Sequence, residues 1–346
     1  MSRRFSHLQP LTNEQLQFFT KEMLGFFAPT SNKMIRQFLS LPIEAGKTQP
    51  LSINDFLAYL DKASRIADPA KYFQHILVLA QKLSNHGILL SASPTRGSPG
   101  LNRCYYSMHE LTTLQASGTF WLGSILGENY LREQLTDFIV RIEGINSKNI
   151  IGTGSGVLIS ENTILTCAHN IRDMEITSCW VGDNQLTIIE QQAHERYDVG
   201  IIKISPINTG KAHPYFGLPA VLDRTLTLGY PPLRGLREPL LLAQSGEINA
   251  VGTETFSGCE CITISSITRP GNSGGPVFSM QGYIAGIVIE QATSAASFTV
   301  EEQDDINGMQ KQPVESPFYL AISSTALKSI IPEIAPDVVI RFEDYQ

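Results

Sequence analysis

TRPGNSGGPVF, residues 268–278, is the stretch on which the reading of this chain turns. Three glycines and two prolines surround a single serine, Ser273. Glycine reaches backbone angles that a Cβ forbids. A turn built from such angles can aim several amide N–H groups at one point, where a developing oxyanion would sit. The amides of Gly271 and Ser273 are the expected donors. A serine hydroxyl is a weak nucleophile at its own pKa; it needs a hydrogen-bonded base, and the base needs a third group to fix its tautomer.

Upstream text supplies both. TILTCAHNI (163–171) is expected to end a strand on His169, and RYDVGIIKI (196–204) places Asp198 at the start of a buried strand. His169 is the candidate base and Asp198 the orienting carboxylate. His194 reads as a loop residue, and Asp173 and Asp183 are alternative carboxylates that open no buried strand. Around these motifs run short β-like segments: DFIVRIEG (137–144), IIGTGSGVLIS (150–160), WVG and LTIIE within 180–190, and VGIIKI (199–204). TLTLGYP, LLLAQSGEIN, CITISSI, GYIAGIVIE and PFYLAIS continue the pattern. Short strands separated by Gly, Pro and Asn turns predict an all-β sandwich or barrel.

TCAH, YDVGIIKI and GNSGGPVF together resemble the three signatures of the trypsin-like peptidase clan. LTLGYPP, QSGEINAVG and PFYLAISSTALKSII are similar to further segments of it, so the resemblance covers about residues 135–332. His169 and Asp198 are 29 residues apart and Asp198 and Ser273 are 75 apart, a compact spacing most similar to the HtrA/Deg branch. The resemblance implies a chymotrypsin-like double β-barrel of six strands each, with a His169–Asp198–Ser273 triad between them and no cofactor or metal. Too few residues follow Pro332 for a PDZ domain. Asn272 stands where digestive proteases carry the Asp that pairs with a freshly cut N-terminus, so activation by N-terminal cleavage is not expected. Ile267 replaces the tryptic Asp, Thr268 matches glutamyl endopeptidases, and Val288 replaces the His that those enzymes use. With Ile289 and Gln291 these residues outline a substrate pocket for a small or apolar side chain. Glu290 and the acidic insert between Gln291 and Ser316, which contains Glu301, Glu302, Asp304 and Asp305, keep a basic preference open.

Residues 1–115 read differently. Asn13 is expected to cap a helix through Leu16, Phe19 and Met23 to Phe26, and a second helix spans Asn32 to Leu39. Ser52 or Asn54 opens a third, with Phe56, Leu57, Leu60 and Ile66 on its apolar side. Asp68 and Pro69 form a helix start; Phe73, Ile76, Leu77, Ala80 and Leu83 make the stripe behind them, and Gly87 ends it. Strands at 88–93 and 103–108 flank a turn-rich loop. Three helices and a hairpin resemble a winged-helix module. The whole chain is thus expected to be multidomain α+β: a helical module (1–115), a linker or helix (116–134), the protease region (135–332) and a tail (333–346).

The formal net charge of −7 is unevenly distributed. Residues 1–115 hold 12 basic and 7 acidic side chains; the remainder holds 14 and 26. Opposite charge marks two modules with different tasks. No run approaches the ~18 apolar residues of a membrane helix, and no apolar stretch follows the early arginines as an export signal requires. Five scattered cysteines (104, 167, 179, 259 and 261) form neither a disulfide framework nor a metal motif. These features predict a cytoplasmic protein with reduced thiols and no membrane partner. The leading function is a serine endopeptidase acting on proteins or peptides, regulated through residues 1–115 by a protein partner, as in bacterial stress or defence systems. Two alternatives remain. One is a nucleic-acid-binding regulator with an appended protease, motivated by the basic module with Arg96 and Arg103. The other is an inactive binding protein.

Overall fold

The structure, a computed structural model, describes residues 9–92, 102–108, 111–233, 235, 239–255, 257–289 and 318–343. Two compact units divide the chain, 1–112 and 113–346. The loop holding Arg96, the acidic insert, Glu290 and the pocket candidate Gln291 lie outside the described residues.

The first unit contains α1 (Asn13–Phe27), α2 (Asn32–Leu39), β1 (Leu51–Ser52), α3 (Ile53–Lys62), α4 (Phe73–Asn85), β2 (Leu89–Ser91) and β3 (Cys104–Ser107). Thr12, not Asn13, caps α1: its hydroxyl accepts from the Gln15 amide at 3.2 Å, and the Gln15 side chain accepts from the Thr12 amide at 3.0 Å. Such reciprocal bonds satisfy two orphan helix donors at once. Ser52 and Asp55 do the same for α3. That helix stops at Lys62, which leaves Ile66 beyond its apolar face. Pro69–Tyr72 form a tighter turn ahead of α4, and Asp68 makes no side-chain cap. On α4 the buried stripe is Ile76, Leu79, Ala80 and Leu83; Leu79 takes the place expected for Leu77. β2 and β3 pair as a hairpin (Leu89 opposite Ser107), and β1 adds to β3 to give the order β1-β3-β2. The core is aromatic, with the Phe26 ring 5.2 Å from Phe56 and Phe27 5.6 Å from Tyr105.

In the second unit, short helix α5 (Thr113–Ser117) begins within the last residues expected for the first module, and α6 (Gly123–Leu126) and α7 (Glu128–Leu135) follow across the expected linker. Then follow β4 (Ile139–Asn146), β5 (Ile151–Ser160), β6 (Thr163–Thr166), α8 (Ala168–Arg172), β7 (Met174–Val181), β8 (Asn184–Leu186), β9 (Ile188–Ala193) and β10 (Gly200–Ile204). They form one antiparallel sheet in the order β8-β7-β4-β5-β6-β10-β9, seven strands rather than six. A second sheet is built from β11 (Phe216–Gly217), β12 (Arg224–Gly229), β13 (Leu242–Glu254), β14 (Glu260–Ile264), β15 (Pro276–Ser279), β16 (Ile284–Val288), β17 (Tyr319–Ser323) and β18 (Phe342–Glu343), with α9 (Ser324–Ile334) between the last two. Pairing of β15 with both β12 and β16 closes β12-β13-β14-β17-β16-β15 into a six-stranded ring. The segment expected as a tail returns to this sheet, since β18 pairs in parallel with β11.

Strands buried on both faces carry no alternation, which is why TILT, GIIKI and IAGIV read as near-continuous apolar runs. Their side chains join one core with those of both sheets, among them Ile142, Leu165, Ile201, Leu226, Ile262 and Ile287. Each such chain, fully buried, stabilises the fold by about 1.5–3 kcal/mol. The candidate site lies where β5, the β6–α8 junction and the lead into β10 meet the turn before β15.

Candidate active site

His169 does not end a strand. β6 stops at Thr166, and His169 stands in the first turn of α8, whose N-cap is Cys167. Asp198 lies in the loop just before β10. The histidine occupies both carboxylate oxygens: its amide donates to Oδ1 at 2.9 Å, and Nδ1 lies 2.8 Å from Oδ2. Two bonds from one residue to one carboxylate fix the ring plane and place the proton on Nδ1, which leaves Nε2 as the basic nitrogen. Burial alone would raise the Asp198 pKa. The bonds and charge of His169, joined by the Cys167 thiol, outweigh burial and hold the carboxyl below its ordinary value.

The loop carrying Asp198 is itself braced. Its upstream residue His194 is a loop residue as expected, yet it is buried. The Nδ1 of His194 accepts from the amides of Arg196 and Tyr197 at 3.1 and 2.9 Å, and Nε2 lies 3.0 Å from Glu333 on α9. The Arg172 guanidinium at the end of α8 donates to the carbonyls of His194 and Glu195. The helix holding His169 is thereby tied to the loop holding Asp198. Asp173 and Asp183 are exposed; the Asp173 amide closes α8 by donating to the His169 carbonyl at 2.9 Å.

Ser273 is 5% exposed and sits in the glycine turn. The Asn272 amide donates to the Arg269 carbonyl at 2.9 Å, closing a four-residue turn with Pro270 second and Gly271 third at φ +96°. That is the residue order a type II turn requires. Amides of Asn272, Gly274 and Gly275 are spent on backbone carbonyls. Among the described residues, those of Gly271 and Ser273 make no such bond. Gly274, at φ +81°, lies so close to the first sheet that a Cβ would collide with the Ser155 carbonyl and the Thr166 hydroxyl.

Three buried polar residues missing from the sequence reading hold this turn: Ser155 on β5, Thr166 on β6 and Asn170 on α8. The Ser155 amide and the Asn170 side-chain amide both donate to the Ser273 carbonyl at 2.9 Å. The Ser155 hydroxyl donates to the Gly271 carbonyl at 2.6 Å and accepts from the Tyr230 amide at 2.8 Å. Thr166 donates to the Ser155 carbonyl at 2.7 Å and accepts from Asn170 at 2.9 Å. The serine's backbone is thus fastened to the residue that follows His169. One signal was present: Ser155 lies between Gly154 and Gly156 inside a strand, and strand glycines mark the close approach of another backbone.

Of the pocket candidates, Ile267 is 50% exposed, Thr268 is buried and Ile289 is half-buried. Ser266, beside them, bonds the Thr227 hydroxyl at 2.9 Å in the interior. Val288 is buried and its backbone is fully engaged, accepting from Gly274 and donating to Gly275.

Residues 154–287 match a family model described as a trypsin-like peptidase domain. The chain is 26% identical over 245 residues to the human serine protease HTRA3, an alignment covering 64% of this chain and 51% of that protein. The chain therefore spans about half the length of that curated relative. Among solved structures, the active form of the Rv3671c protease from M. tuberculosis is 17% identical with a TM-score of 0.45, covering 58% of this chain and 82% of the other. A serine endoprotease from Yersinia pestis is 18% identical with a TM-score of 0.45, covering 66% of this chain and 69% of that one.

Proposed function

We propose that this chain, which carries a trypsin-like peptidase domain of the HtrA type, is a serine endopeptidase that cleaves proteins or peptides through an acyl-enzyme. The observation that carries the proposal is the doubly bonded His169–Asp198 pair tied through Asn170 to a serine turn with two unspent amides.

Ser273 Oγ attacks the scissile carbonyl while His169 Nε2 takes its proton. Asp198 stays ionised, holds the proton on Nδ1 and stabilises the imidazolium that forms. Negative charge gathering on the carbonyl oxygen is met by the amides of Gly271 and Ser273. A donor of this kind is worth about 10²–10³ in rate because it is in place before the charge appears. Collapse of the tetrahedral species breaks the C–N bond, and His169 returns its proton to the leaving amine. Water then repeats the sequence on the acyl-enzyme, with His169 again as base. Ile267 offers an exposed apolar side chain and Ile289 a half-buried one, which supports a small or apolar residue before the cleaved bond.

Residues 1–115 serve as the regulatory module, engaging a protein partner; their basic balance against the acidic remainder supports a separate task. Five free cysteines support a reducing, cytoplasmic setting. No helix among the described residues is long and apolar enough to cross a membrane.

A fluorophosphonate probe tests the activity. The wild-type chain is expected to be labelled, and Ser273→Ala to lose all labelling. A wild type that resists the probe with or without residues 1–115 engaged by partner would defeat the proposal, as would labelling that survives in Ser273→Ala. Comparing cleaved N-termini in cells expressing either chain then identifies substrates.

A further inference from the structure

Cys167 is fully buried at the junction of β6 and α8, and its thiol donates to the Val288 carbonyl at 3.1 Å. The side chain also reaches the pair described above. Cys167 Sγ, a ring nitrogen of His169 and a carboxylate oxygen of Asp198 lie within 4.8 Å of one another. Among the described residues no other group of three His, Cys, Asp or Glu side chains converges in this way. Thiolate, imidazole and carboxylate together are the donor set that zinc takes in tetrahedral sites.

We propose that Cys167, His169 and Asp198 bind one soft divalent cation, zinc or cadmium, and that its binding switches the catalytic base off. The inference rests on the serine-protease reading of this site.

The geometry asks for little movement. Zinc bonds of about 2.0–2.3 Å in a tetrahedron separate ligand atoms by about 3.4–3.6 Å. The Nδ1–Oδ2 pair, now 2.8 Å apart, would open by about 0.6 Å, and the sulfur would close by about 1.2 Å at most. Entry is from the His–Asp side, where the two side chains are 26% and 33% exposed although the sulfur is not. A fourth position stays open for water.

The consequence for catalysis follows from proton placement. Binding releases one proton to solvent, from Sγ, and the ion takes the thiolate lone pair. The hydrogen displaced from Nδ1 is regained from solvent at Nε2, so the ring stays neutral, bound through Nδ1 with its one hydrogen on Nε2. That nitrogen is then a donor and cannot accept the Ser273 hydroxyl proton. The wrong histidine tautomer in an enzyme of this mechanism costs about 10⁴ in turnover. Chelation restores the ring to Asp198 and the activity with it.

Cadmium is the probe, because its bond to a thiolate gives an ultraviolet charge-transfer band. The full chain carrying Ser273→Ala, which needs no activity to be read, is expected to show the band at one equivalent of cadmium. Adding Cys167→Ala should abolish it, whereas adding Cys259→Ser or Cys104→Ser should leave it. Should Cys167→Ala fail to fold, Cys167→Ser keeps the size, cannot form the thiolate bond and should also lose the band. In parallel, cadmium or zinc should block fluorophosphonate labelling of the wild type, reversibly by EDTA, at a concentration about tenfold or more below that needed for Cys167→Ser. A band that persists without Cys167 overturns the site. Labelling that proceeds unhindered in metal-saturated wild type overturns the switch. A wild type never labelled in the absence of metal defeats the protease reading instead, and the band still decides the metal site.

Discussion

Replacing Ser155 by Ala should separate how the serine turn is held from how the serine is activated. The hydroxyl is fully enclosed and makes two bonds, to the Gly271 carbonyl at 2.6 Å and from the Tyr230 amide at 2.8 Å. Truncation leaves both backbone groups buried without that partner, at about 1–3 kcal/mol each. The expected loss of stability is therefore about 2–6 kcal/mol, within the 5–15 kcal/mol that a domain typically holds. In a unit of this size that lowers Tm by roughly 5–20 °C. Main-chain bonds of Ser155, to the Ser273 carbonyl and from Thr166, survive the substitution, so Ser273 remains attached. What loosens is the peptide after Gly271, and with it the orientation of the Gly271 amide. Loss of one oxyanion donor sets the ceiling at about 10³ in kcat, and partial loosening sets a floor of about tenfold. KM and the pH dependence of kcat should stay put, because neither the pocket nor the His169–Asp198 pair is touched. Steady-state kinetics on a peptide ester, with the acylation rate from fluorophosphonate labelling and Tm from calorimetry, read all three. If kcat stays within about twofold of wild type while Tm falls, the turn is held by something else. An unchanged Tm would show that the two hydroxyl bonds carry no weight.

Gly271→Ala should lose at least about 10² in turnover, because its φ of +96° is strained for alanine and its Cβ would lie 2.7 Å from Pro232 Cδ and 2.8 Å from Pro231 Cα; kcat on the same ester checks it. His194→Ala removes the acceptor of two loop amides and should cost about 2–4 kcal/mol, with reduced kcat as the Asp198 loop loosens; denaturant unfolding and turnover measured together test the link. Asp198 has a folded pKa below its ordinary 3.8, so its stabilising contribution is complete above that value and is lost as pH falls through the lower one. The stability gap between wild type and Asp198→Asn should accordingly be constant at neutral pH and close below about pH 4. Burial pushes the Cys179 thiol up to about 12 and Cys259 to about 11. Mass spectrometry after alkylation at pH 8 should find both unmodified in the native chain and modified once it is unfolded.

What could be seen in the sequence and what could not follow a physical division. A strand buried on both faces, or a glycine turn around a serine, is determined by residues within a few positions of each other, and such features show in the text. Hence α2 spans the expected residues, the hairpin β2–β3 pairs as expected, and β16 and β17 fall inside the segments that foretold them. Local competition is harder to judge. Thr12 and Asn13 both carry capping oxygens, and TCAH looks the same whether the strand ends before the histidine or on it; here a short helix begins at Ala168. Two-residue strands such as β18 have no periodicity at all, and their existence depends on a distant edge that happens to be open. The supports of the site are least visible of all. Ser155 reaches Gly271 across 116 residues, Asn170 reaches Ser273 across 103, and His194 reaches Glu333 across 139. Each is a bond from a side chain to one particular group, so it imposes no repeat and favours no residue class nearby. The candidate reacting groups are concentrated in three short motifs because each is presented by its own short helix, loop or turn beside a strand. The precision of the site is spread over the sheets because only buried, fully bonded partners can hold a glycine turn in a conformation that the chain would otherwise leave.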